Sequence, residues 1–74
     1  MPGDLDARLL VAHEMNDQGA LVGLYTQAAD MREASGDVAA ASFYLTHAYV
    51  FALDLGDARA RGLHARLKAH GREE

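Results

Sequence analysis

Residues 38–55, VAAASFYLTHAYVFALDL, decide the reading of this chain. Gly36-Asp37 precedes the stretch and Gly56-Asp57 follows it. No Gly or Pro interrupts it, and only Ser42, Thr46, His47 and Asp54 lack an apolar body. A helix that is apolar nearly all round has to be covered on more than one side. The segment is therefore expected to be the central helix of the domain or part of an interface. Its faces differ in kind. Ala41, Leu45, Ala48, Ala52 and Leu55 make a smooth small-residue face, whereas Phe43, Tyr44, His47, Val50 and Phe51 make a bulky aromatic one. Ser42, Thr46, Tyr49 and Leu53 form the most polar stripe.

Working outward, three more helices are expected. The first spans about 5–15, with Asp4 as its N-cap, an Asp4–Arg8 pair at i,i+4, and Leu5, Leu9, Ala12 and Met15 near one face. The turn-type cluster Asn16-Asp17-Gln18-Gly19 ends it. The second spans about 20–35, its apolar side carrying Leu21, Leu24, Ala28 and Met31 with Tyr25 beside them. Gly36 suits its C-terminal exit, and Asp37 can cap the next helix. The last spans about 58–69, starting at the cap Asp57, with a narrow stripe of Ala60, Leu63 and Leu67 and an Asp57–Arg61 pair. Gly71 ends it, and Arg72-Glu73-Glu74 is expected to fray. No segment alternates with the period of two that a half-buried strand requires. Short loops make consecutive helices antiparallel neighbours. The expected fold is all-α: one domain over 1–74, a compact antiparallel bundle of three to four helices.

A chain of 74 residues buries only about 60% of the surface it exposes when unfolded. Much of its hydrophobic half is Ala, so the core is thin. The lack of Cys excludes disulfide staples and thiolate metal sites, and is compatible with a reducing cytoplasm, the expected location. The acidic N-terminus Met1-Pro-Gly-Asp-Leu-Asp has no apolar run after it of the kind a signal peptide carries. Ser42, Thr46, His47 and Asp54, with acidic flanks, argue against a membrane span at 38–55.

The net charge of −4 is divided unevenly. Residues 1–57 carry two basic and nine acidic side chains, whereas 58–74 carry five basic and two acidic. A nucleic-acid domain usually has a basic balance, and the isoelectric point of 5.4 argues against one. The last helix is better read as a basic element facing an acidic surface, its own or that of a second copy.

Residues 21–55 resemble a tetratricopeptide-repeat helical hairpin. Ala29 matches the small position of the first helix, Gly36-Asp37 the turn, and Ala41, Leu45 and Ala48 the second-helix series. Tyr25, Ala28 and Arg32 stand at the first-helix aromatic, Leu and Tyr positions, where only Tyr25 fits, and the closing Pro is missing. The resemblance covers about half the chain. It implies tetratricopeptide-like hairpin packing and a protein-interaction module without catalysis.

The histidines are the candidate chemical groups. His13-Glu14-Met15-Asn16-Asp17 is reminiscent of a zinc helix, but the second His is missing. His64 and His70, six apart, read as surface residues of the last helix. His47 sits among aromatics and needs a hydrogen-bond partner, for which Asp30, Glu33, Tyr25 and Tyr49 are candidates. It can be a core, interface or ligand-binding residue. Ser35 and Ser42 lie in no nucleophile elbow, no phosphate loop is present, and Asp4/Asp6 and Glu73/Glu74 are solvated terminal charges.

No enzyme, cofactor or metal site is expected. The chain reads as a small helical protein acting through protein–protein contacts and associating with itself through Phe43, Tyr44, His47, Val50 and Phe51. Two alternatives stand beside this. One is an adaptor that holds a peptide or partner helix between the second and third helices. The other is a metal- or ligand-binding protein using its histidines.

Overall fold

A computed structural model describes residues 2–71 of the chain. Four helices follow one another: α1 (Pro2–Glu14), α2 (Gln18–Ala34), α3 (Val38–Leu55) and α4 (Arg59–Ala69). No strand occurs among the described residues. The fold is an all-α bundle, as expected. The tail 72–74 and its paired glutamates lie outside the described residues.

The three connections share one construction. Asn16, Gly36 and Gly56 each adopt a positive φ, of 55°, 82° and 67°. The Asp that follows donates its backbone N–H five residues back: Asp17 to Ala12, Asp37 to Arg32 and Asp57 to Ala52, at 2.8–2.9 Å. Each helix end is thereby closed by a left-handed residue, for which Gly and Asn are the least strained choices. The turns recur every twenty residues, and Ala stands three positions after each Asp, at Ala20, Ala40 and Ala60. This period includes Asn16-Asp17, which the Gly-Asp pattern alone does not reveal.

The same Asp then opens the next helix. Asp17 and Asp37 accept the N–H of Ala20 and Ala40 at 3.1 and 3.0 Å, so α2 starts at Gln18 rather than at 20. Asp57 departs from the pattern and does not cap α4. Its carboxylate takes the Arg59 N–H at 2.8 Å and the Arg59 guanidinium at 2.7 Å, and Ala58 precedes the helix with no side-chain cap. The expected Asp57–Arg61 pair is replaced, because i,i+4 geometry does not hold across a turn. Asp4 is likewise no N-cap: α1 begins at Pro2 and Asp4 lies in its first turn. Pro is well suited to a helix start, having no N–H to leave unpaired. Asp4 does reach Arg8, at 3.9 Å on the surface.

By backbone proximity each helix neighbours only the next in sequence, and α2–α3 is the most extensive seam. Val22 and Ala29 on α2 meet Leu45, Ala48 and Ala52 on α3, all fully buried. The alanines allow close approach, as the small-residue face requires. Leu63 and Leu67 of α4 join this core, while Ala12 of α1 packs with Leu21 and Leu24 in a second, smaller one. Three apolar residues placed on core faces are in fact exposed: Met15, Met31 and Leu55. Met15 and Leu55 sit where their helices turn, and Met31 lines a shallow cleft with Leu5 and Arg8 of α1 and Tyr44 of α3. The body measures 32 × 30 × 13 Å, so it is thin in one direction.

Candidate functional site

Tyr25, half-buried on α2, is the hub of an aromatic assembly drawn from three helices. Its ring stacks on Tyr44 and Phe51 of α3 at 6.2 and 6.0 Å and lies 5.1 Å from His47. His13 of α1 meets both Tyr25 and Phe51 edge-on, and its Nε2 is 2.9 Å from the Tyr25 hydroxyl. Burial first, and then the neighbouring Tyr44, push the Tyr25 phenol above its ordinary value. Phe43 extends the assembly outward through His47 at 4.5 Å. Offset and edge-on ring pairs of this kind add to the area they bury.

The structure thus brings together Tyr44, His47 and Phe51 around Tyr25. Phe43 and Val50 stay at the rim, 59% and 48% exposed. His47 takes none of the partners expected for it: its Nδ1 donates to the Phe43 carbonyl one turn back, at 2.9 Å. In the stretch reminiscent of a zinc helix, His13 is engaged with Tyr25 and Asp17 with the Ala20 N–H. No group of three metal-capable side chains converges among the described residues.

A second constellation lies on α4's side of the molecule. Ser42 Oγ is 2.8 Å from His70 Nδ1, and His70 Nε2 is 2.8 Å from Glu33. Arg66 then binds Glu33 at 2.8 Å and Asp30 at 2.6 Å. With Nε2–H donating to the carboxylate, the Ser42 hydroxyl donates to Nδ1. Burial pushes the Glu33 carboxyl up, but the Arg66 and His70 bonds outweigh it and hold it below the carboxylate range.

Two sequence readings are corrected here. Ser42, assigned to a polar stripe, is buried at 4% exposure, and His70 is a bonded tie between three helices rather than a surface residue. The reading of α4 as a basic element facing its own acidic surface holds at Arg66. The signal for the tie was present, since Arg66 and His70 share a helix face at i,i+4 and Asp30 and Glu33 do so at i,i+3.

The order Ser–His–Glu invites comparison with acyl-transfer triads. Hydrolysis needs an accessible nucleophile and N–H donors aimed at a developing oxyanion. Ser42 is buried within α3, where the backbone N–H groups are spent on the helix ladder. The constellation fastens helices and presents no reacting centre.

The α2–α3 seam is filled by the fully buried Val22, Ala29, Leu45, Ala48 and Ala52. A groove of about 950 Å³ opens between α1 and α2. Val11 and Met15 of α1, Ala20, Gly23 and Gln27 of α2, and Arg59 of α4 are among its lining residues.

Fold and site together define an all-α protein of four helices with an aromatic hub and a polar tie. Comparison of the chain with family models, with curated proteins and with solved structures found no match to any of them.

Proposed function

We propose that this is a small non-enzymatic protein that works through protein–protein contact and associates with copies of itself. One observation carries the reading: α3 has a mean hydropathy of 1.3, yet buries only Ala41, Ser42, Leu45, Ala48 and Ala52 within the chain. Phe43, Val50 and Leu53 remain exposed on it. Large apolar side chains left exposed on a helix that the chain only partly covers point to an interaction site. Helix α3 is also long and apolar enough to cross a bilayer. A protein partner is favoured because the small face of α3 is the seat of α2 and α4, which insertion would strip away.

Light scattering at micromolar concentration tests the reading. The expected result is an assembly that Phe43→Asp and Val50→Asp dissociate while helicity and melting temperature are kept. A stable monomer at these concentrations overturns it. Phe51→Asp is unsuitable as a probe, since Phe51 is stacked on Tyr25 and its loss would damage the monomer.

A second reading is favoured by the α1–α2 groove. There an apolar helix or peptide from another protein would lie along Val11 and Met15, in the adaptor role that the tetratricopeptide resemblance implies. The hairpin period here is forty residues against about 34 in that family, which limits the resemblance to packing style. A co-purifying partner, together with a monomeric free state, would favour the adaptor over self-association.

A further inference from the structure

We infer that the seat of α4 also accepts the α4 of a second copy, so that two chains exchange their last helix. The inference rests on the self-association reading and names a mode for it. Every contact α4 makes within its chain is available between chains, because exchange of an identical element preserves the interface.

Three features of the joint point this way. The first is weak attachment. Helix α4 buries only Leu63 and Leu67, has no side-chain N-cap and carries Gly62 in its middle. Its remaining ties are Ala60, packed at the edge of the core, the Tyr49–His64 ring contact, and the polar bonds of Arg59, Arg66 and His70. The second is helical phase. Ala48 and Ala52 on α3 are followed at steps of four, four, three and four by Gly56, Ala60, Leu63 and Leu67. These are the spacings of one helix face, so straightening residues 56–58 would give a single long helix with an unbroken core stripe. The third is what straightening would supply. Asp57 and Arg61 would then stand at i,i+4 and pair, which the turn prevents. Leu53 and Leu55, exposed beside the joint, would lie close to the symmetry axis and meet their counterparts there.

Gly56 controls the choice. Its φ of 67° is what bends the chain, and nothing lies within 4 Å of an added Cβ, so Gly56→Ala acts through the backbone alone. Ala disfavours the turn and favours the straight helix. Ala58→Pro acts the opposite way. Ala58 has φ −59°, which Pro adopts, whereas a Pro within a continuous helix removes a ladder bond and clashes with the preceding turn.

The experiment measures mass by light scattering for the wild type, Gly56→Ala, Ala58→Pro and Phe43→Asp, with circular dichroism to confirm folding. Thiols are then placed by Tyr49→Cys and His64→Cys, whose native rings lie 5.5 Å apart, in a chain that has no other Cys. A short thiol crosslinker joins them within one chain or between two. The expected result is an association constant raised roughly tenfold or more by Gly56→Ala, abolished dimer in Ala58→Pro, and crosslinks between chains in the dimer fraction. A dimer indifferent to both joint variants, crosslinked only within chains and lost in Phe43→Asp, overturns exchange and leaves surface association standing. A wild type and Gly56→Ala that are both monomeric overturn both. A monomeric wild type with a dimeric, cross-chain-linked Gly56→Ala also overturns both, since exchange would then belong to the variant and not to this chain.

Discussion

The Oγ of Ser42 and the Nδ1 of His70 lie 2.8 Å apart, joining α3 to the C-terminal end of α4 across 28 residues of sequence. His70 continues the tie to Glu33 on α2, so one imidazole holds three helices in register. Removing Ser42's hydroxyl leaves a mostly buried ring nitrogen unpaired, which costs about 1–3 kcal/mol. Ser42→Ala and His70→Ala are each expected to lower the melting temperature, by roughly 4–8 °C for every kcal/mol in a domain of this size. The double variant should lose less than the sum, because both remove one bond. Strict additivity in urea melts would show that the pair is not coupled.

Acid should loosen the fold through the carboxylates that are bonded to cations. Glu33 has a folded value below its ordinary 4.5, and Asp57 is lowered from 3.8 to about 2 by its bonds to Arg59. A depressed carboxylate contributes stability that is complete above its unfolded value and lost as pH falls through the folded one. The urea midpoint should therefore fall as pH is lowered from about 4.5 towards 2. Glu33→Gln should flatten the upper part of that fall. An unchanged slope in this variant would remove Glu33 from the account.

Leu45 and Phe43 sit two residues apart on α3 and should respond in opposite ways. Leu45 is fully buried at the seam. Leu45→Ala is expected to cost about 2–5 kcal/mol, and a core this small rarely supplies more than about 3–5 kcal/mol in total. Circular dichroism should show a chain largely unfolded at room temperature. Phe43→Asp should leave the melting temperature within a few degrees of wild type and act on association instead. If Phe43→Asp also unfolds the chain, the rim residue is part of the core.

The turn at Gly36 offers a test of backbone effects without contacts. Its φ is 82°, and an added Cβ would meet nothing within 4 Å. Gly36→Ala should destabilise by about 1–2 kcal/mol through the left-handed conformation alone. Unlike Gly56→Ala, it should leave the association constant unchanged, because the proposed exchange opens the α3–α4 joint and leaves the turn at Gly36 as it is. A dimer induced equally by both variants would argue against a special role for the α3–α4 joint.

Much of this architecture is legible in the residues. Helix α3 is read to the residue because Gly and Asp mark both its ends. The aromatic face is legible because four of its members lie on one helix. The start of α1 is not, because Asp4 looks like a cap as long as Pro2 is not read as a helix start. Asp57 misleads because the same dipeptide does two jobs: Asp37 caps, while Asp57 turns to hold Arg59. His70 is missed for a different reason. Its partners come from helices 28 and 37 residues away, and local spacing, which groups Arg66 with His70 and Asp30 with Glu33, does not say that the two pairs meet.

The 13 Å thickness of the body has a kinetic consequence. No second layer shields the outer helices, so α1 or α4 can lift off without the other moving. Amide hydrogens should then exchange in tiers, with the slowest set confined to the α2–α3 seam around Val22, Ala29, Leu45 and Ala48. The protein would behave less as one cooperative block than as a two-helix spine with a detachable helix at each end.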